Sequence, residues 1–94
     1  MATRDAFVQK LKAQLDEGNA EIDKLEAKAG KAEADLKIRY QEEIEKLRQQ
    51  QQSARAKLKE LQQANENAWE DLKDGVEGAW NSLKGAVEKA KSRF

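Results

Sequence analysis

No cysteine, histidine or proline occurs in the 94 residues. Without cysteine there can be neither a disulfide framework nor a thiolate site, and the redox compartment leaves no mark. Without histidine and cysteine, the usual zinc ligands and the usual general base are missing. Ser53, Ser82, Ser92 and Thr3 have no activating partner in the pattern. Acidic pairs such as Glu42–Glu43 and Glu70–Asp71 are adjacent in sequence, so on a helix they diverge. No glycine-rich phosphate loop is present. A non-enzymatic protein with no cofactor, no metal and no small-molecule substrate is expected.

Charge of one sign is also lacking. Eighteen basic and eighteen acidic residues cancel. The balance holds regionally, with five basic and six acidic residues in 1–30, eight and seven in 31–66, and five and five in 67–94. A nucleic-acid binder needs a basic stripe, so no nucleic-acid partner is expected. Nothing approaches the ~20 apolar residues of a membrane span. The start, Met1-Ala-Thr-Arg-Asp, has no apolar run behind a basic segment, which leads us to expect a cytoplasmic protein.

What is present is helix-forming material. Charged residues make up 38% of the chain and mean hydropathy is −1.01, so apolar material for a globular core is scarce. Ala, Leu, Glu, Lys and Gln dominate, a profile that suits a coiled coil in a single all-α domain spanning 1–94. Thr3 is a candidate N-cap with Asp5 in the first turn. Val8, Leu15, Ile22, Ala29 and Leu36 then fall at heptad position a, and Leu11, Gly18, Leu25 and Ala32 at d. Ala6, Ala13, Ala20, Ala27 and Ala34 recur at f, either as good helix formers or as a second contact face.

The frame breaks once, at Leu36–Tyr40–Ile44–Leu47, an eleven-residue stutter. It resumes with Ile44, Gln51, Leu58, Asn65 and Leu72 at a, and Leu47, Ala54, Leu61 and Ala68 at d. Glu33–Lys37, Asp35–Arg39 and Glu42–Lys46 are spaced for favourable pairs along a helix. The glutamine run Gln49–Gln52 offers no turn chemistry, so the helix is expected to pass through it.

From Ala68 the period changes. AWEDLKDGVEG is followed by AWNSLKGAVEK and AKSRF, an eleven-residue repeat that drifts by only about 20° per three helical turns. Trp69, Leu72, Val76, Trp80, Leu83, Val87 and Phe94 share an apolar arc of roughly 120°. A partner helix, the chain's own upstream helices or a lipid surface must cover it. Gly75, Gly78 and Gly85 fall on the polar side, where they weaken the isolated helix. The tryptophans read first as packing residues against neighbouring helices. Their second reading is interfacial membrane anchoring beside Lys73, Lys84 and Lys91, which would make the protein peripheral to a membrane.

Two sites are candidates for chain reversal. Gly30 is the best internal turn residue. Asn67, with Glu70 three residues on, has the form of a capping box. Breaks there would give a folded-back bundle of helices at about 3–29, 31–64 and 67–93. Alternatively Asn65 is a buried polar a position in a continuous coil. Because the a positions Leu58, Asn65 and Leu72 run unbroken across this point, the favoured expectation is one extended helix. Its heptads, at about 8–72, would pass into the repeats of 68–94. Such a rod, roughly 140 Å long, cannot bury its own seam and should self-associate.

AWEDLKDGVEGAWNSLK, together with FVQKLKAQLDEGNAEIDKLEAKA, resembles a family of small bacterial coiled-coil proteins. The resemblance covers most of the chain, and the paired AWxxLKxxVE repeat is its distinctive part. It implies an all-helical cytoplasmic protein with no catalytic residues. More loosely, the eleven-residue period is similar to those of exchangeable apolipoproteins and late-embryogenesis-abundant stress proteins, although the tryptophans depart from the latter. The expected function is that of a structural, self-associating coiled-coil protein mediating protein–protein contacts. Lipid binding or stress protection is the alternative. Its contact residues would be Val8, Leu11, Leu15, Ile22, Leu25, Leu36, Tyr40, Ile44, Leu47, Leu58, Leu61, Asn65, Trp69, Leu72, Val76, Trp80, Leu83 and Val87.

Overall fold

The computed structural model describes the backbone of residues 2–94 and the side chains of residues 4–94. It holds three α-helices, α1 (Ala2–Gly30), α2 (Ala34–Gln62) and α3 (Glu66–Arg93). They pack up-down-up into a bundle measuring 50 × 18 × 17 Å. The chain is all-α. The side chain of Thr3, the candidate first cap, lies outside the described residues.

The extended rod is therefore not the arrangement of this chain; the folded-back alternative is. Continuity of the seam favoured the rod, but continuity does not discriminate. A chain that reverses between heptads, keeping its phase, presents the same apolar faces to itself. It covers them without the loss of translational freedom that joining separate chains entails. The helices also ran close to the positions at which the alternative placed them.

The first reversal follows Gly30, where Lys31 and Ala32 donate to the carbonyls of Lys28 and Ala29 in a tightened last turn. Glu33 is extended at the start of α2 and its side chain makes no capping bond. The second reversal corrects two readings. Asn65 is neither buried nor at a seam. It is the N-cap of α3, with φ −78°, ψ 175° and its side chain accepting from the Ala68 N–H at 3.0 Å. That bond satisfies one of the helix's orphan donors. Asn67, expected to cap, lies exposed within the first turn of α3. The glutamine run passes through α2 without a break.

The core is drawn from all three helices. Leu11, Leu15, Ile22, Leu25 and Ala29 of α1 meet Ile44, Leu47, Ala54, Leu58 and Leu61 of α2 and Val76, Leu83, Val87 and Ala90 of α3. Val8, Tyr40, Trp69, Leu72 and Trp80 pack against this core while part-buried. Leu36 departs from expectation at 42% exposed. Phe94 stacks on Tyr40 with ring centroids 4.0 Å apart, so α3 ends level with Tyr40 and the turn of α2 carrying Leu36 extends past it. The alanine column Ala6, Ala13, Ala20, Ala27 and Ala34 is exposed.

Most ion pairs join helices, and one, Lys24–Glu21 at 3.7 Å, runs along α1. Glu33–Lys37, Asp35–Arg39 and Glu42–Lys46 form no ion pair, whereas Arg48 bridges to Asn19, Asp23 and Glu26 across α1–α2 at 2.6–2.9 Å. Arg55 reaches Asp16, Lys91 reaches Glu21 and Arg93 reaches Glu43. Arg48, beside Asp23 and then Glu26, has its pKa raised further above its already high ordinary value. Gln51, the buried polar side chain of the seam, donates from Nε2 to the Leu15 carbonyl at 3.0 Å. It ties α1 to α2 at one register.

Candidate interaction face

The apolar arc of 68–94 is covered by the chain's own upstream helices, but unevenly. Val76, Leu83 and Val87 point into the core and are buried. Trp69 and Trp80 sit at the edge of the arc, on the side where α3 runs parallel to α1, and remain part-exposed. An indole needs more depth than Leu or Val. The chain provides it with Gly18, where an ideal Cβ would lie 3.1 Å from Cζ3 of Trp80. The glycine at heptad position d is thus the seat of the Trp80 ring.

Trp69 has a different setting near the bundle end. Phe7 meets it edge-on at 5.9 Å, and the Arg4 guanidinium lies 4.1 Å from the ring centroid. Arg4 also donates from Nη2 to the Ala64 carbonyl at 2.9 Å, so one side chain joins the start of α1 to the α2–α3 turn. Lys73 stands 5.1 Å from the Phe7 ring. A cation over an aromatic face contributes about 0.5–1 kcal/mol when exposed.

Between α1 and α3 the Trp80 ring separates two depressions. One, of about 410 Å³, is bounded by Glu17, Gly18, Glu21, Lys24, Lys84 and Lys91 among others. The other, of about 220 Å³, is bounded by Phe7, Lys10, Gln14, Glu77, Asn81 and Lys84 among others. The rims mix both signs of charge. Glu21 and Lys91 face each other at 2.9 Å across the first. The hydrogen bond from Lys91 holds the Glu21 carboxyl below its ordinary value, and Glu21 in turn raises the Lys91 ammonium. The arrangement suits contact with a mixed-charge helical surface, since a large aromatic in a shallow pocket ringed by polar groups is how many protein interfaces are anchored.

Of the expected contact residues, Leu11, Leu15, Ile22, Leu25, Ile44, Leu47, Leu58, Leu61, Val76, Leu83 and Val87 come together in one core. Leu36 and Asn65 do not join it. Phe7 and Gln51 belong to the packed set, though neither was among the expected contacts. Gln51 was marked by its a position, while Phe7 had no heptad signal. Among the described residues no group of three or more acidic side chains is placed to hold a metal ion. No helix of the described residues is long and apolar enough to cross a membrane. No protein-family profile, curated protein or solved structure matches this chain.

Proposed function

We propose that this chain is a non-enzymatic helical interaction protein that docks helical partners, copies of itself included, along the α1–α3 groove. The observation that carries the reading is the Trp80 ring over Gly18, part-exposed between rims of alternating charge. Most of the expected core positions are spent inside the bundle, and apart from Leu36 and Ile38 near the start of α2, the part-exposed groove aromatics are the large apolar side chains left for a partner. Likeness to small bacterial coiled-coil proteins and a place in the cytoplasm belong to the same proposal. A photo-crosslinking residue at Asn81, on the groove rim, should give discrete adducts. The same residue at Ser53, exposed on α2, should give few. Equal adduct patterns from both positions would remove the groove from the account.

A lipid surface is the second reading, favoured by one observation. On a helical wheel Lys73, Lys84 and Lys91 form a column beside Trp69 and Trp80, an arrangement suited to a headgroup boundary. The neighbouring Glu70, Glu77 and Glu88 offset attraction to anionic lipid. A blue shift of tryptophan emission on adding phosphatidylcholine vesicles, absent in buffer, would support peripheral membrane binding. Unchanged emission would count against it.

A further inference from the structure

We infer that α2 and α3 fuse into one continuous helix and exchange α3 between two copies of the chain, giving a swapped dimer. The inference rests on the self-association within the function proposed above and gives it a separate route, exchange of a helix rather than docking in the groove.

The first observation is phase. Wound on as a single α-helix, the buried residues of α2 and α3 share one sector. Taking Leu61 as origin, Ala54, Leu47, Leu58, Gln51 and Ile44 span about 100°, and Ala90, Leu83, Val76 and Val87 fall inside that same span. The turn between the helices therefore reverses direction without changing phase. A fused helix would present both core faces on one side.

The second observation is the turn itself. Residues 63–65 are Gln, Ala and Asn, with no glycine, no proline and no positive φ. Gln63 already lies in the right-handed helical region, at φ −97° and ψ 0°. Asn65 has a φ of −78°, within helical reach, and differs from a helix chiefly in its ψ of 175°. The reversal is held by the Asn65–Ala68 cap, the Arg4 bond to Ala64, and the backbone bonds of Gln63 to Glu60 and Ala64 to Leu61, of the kind that tightens a helix's last turn.

The third observation is recoverability. In the bundle α3 runs antiparallel to α2, so two fused helices of about 90 Å, crossing antiparallel at their hinges, place α3 of each copy on the α1–α2 pair of the other. Trp80 then sits over the partner's Gly18 instead of its own. Exchange of an identical element is a low-cost route to a dimer because the native contacts are remade.

The hinge supplies a discriminating test. Proline at the first position of a helix fits the turn, since Asn65 before it is already extended, but proline within a fused helix breaks it. Sedimentation equilibrium on the full chain, from micromolar to millimolar, should show a monomer–dimer equilibrium. Asn65→Ala should tighten it by about 30-fold, because two caps that favour the turn are lost per dimer. Glu66→Pro should abolish the dimer while its helical circular dichroism stays that of the parent. Ala64→Gly, as a second variant, should weaken the dimer by about 15–30-fold, because two such positions enter helix per dimer. A dimer unchanged by all three variants overturns the exchange and leaves self-association through a surface. Monomer throughout, Asn65→Ala included, overturns exchange and self-association together.

Discussion

Three glycines in α3 stand where the structure gives them no role, and replacing them gives a quantitative check of the bundle. A Cβ at Gly75, Gly78 or Gly85 would meet nothing within 4 Å, and none has a positive φ. Each is solvent-exposed within the helix. Glycine in a helix interior is about 0.8–1.0 kcal/mol less favourable than alanine, so the triple variant should gain roughly 2.5–3 kcal/mol. In a domain of this size 1 kcal/mol moves the midpoint by about 4–8 °C, so Tm should rise by roughly 10–24 °C. Gly18→Ala is the counterpart. Its Cβ would lie 3.1 Å from Cζ3 of Trp80 and 3.8 Å from Cδ2 of Leu83, so the indole has to move. Overpacking of about 1–3 kcal/mol should cancel or exceed the same helix gain. Thermal melts and urea titrations at one low concentration would read both. If Gly18→Ala stabilises as much as Gly78→Ala, Trp80 does not sit over Gly18. If the triple variant does not gain, α3 is not the helix described.

Further outcomes follow from the packing. Leu83→Ala, at a fully buried side chain, should cost about 2–5 kcal/mol, whereas Leu36→Ala should cost under about 1 kcal/mol despite the shared residue type; urea unfolding separates them. Gln51→Leu should lie within about 1 kcal/mol of the parent, because a hydrogen bond to a carbonyl already within a helix is exchanged for apolar burial. The Glu21–Lys91 pair should show in titration. With Glu21 held below its ordinary 4.5 and Lys91 above its ordinary 10.5, the pair contributes fully between those values. The contribution disappears as pH falls through the lowered carboxyl pKa or rises through the raised ammonium pKa. Lys91→Met should return the Glu21 carboxyl titration, followed by NMR, towards 4.5; an unmoved titration would show the pair is not formed in solution.

Much of the core was legible because heptad spacing states which residues share a face. Leu15, Ile22, Leu25, Leu58 and Leu61 needed nothing more. Spacing does not state whether the face is covered by another chain or by the same one. That depended on the turns at Gly30 and Asn65–Asn67, and at the second Asn65 was legible as a buried seam position and Asn67 as the cap. Capping by Asn65 rather than Asn67 rests on a single hydrogen bond to Ala68, which spacing alone does not reveal. Leu36 was misplaced for another reason. Its periodicity is that of a core residue, but its exposure is set by where α3 stops, at the level of Tyr40 and Phe94. The Gly18–Trp80 contact joins residues 62 apart, and no local pattern pairs them. Taken separately, each was readable: Gly18 as a small d residue, Trp80 as an aromatic at the edge of an arc.

The claim on which the rest depends is that one chain covers its own seams. Small-angle X-ray scattering with in-line size separation, at concentrations where the monomer dominates, tests it most directly. The bundle has a Cα radius of gyration of 15.2 Å, and the scattering value should lie close to it. A continuous helix of this chain, roughly 140 Å long, would instead give about 40 Å. A monomer near the first value supports the folded-back bundle, and a monomer near the second contradicts it.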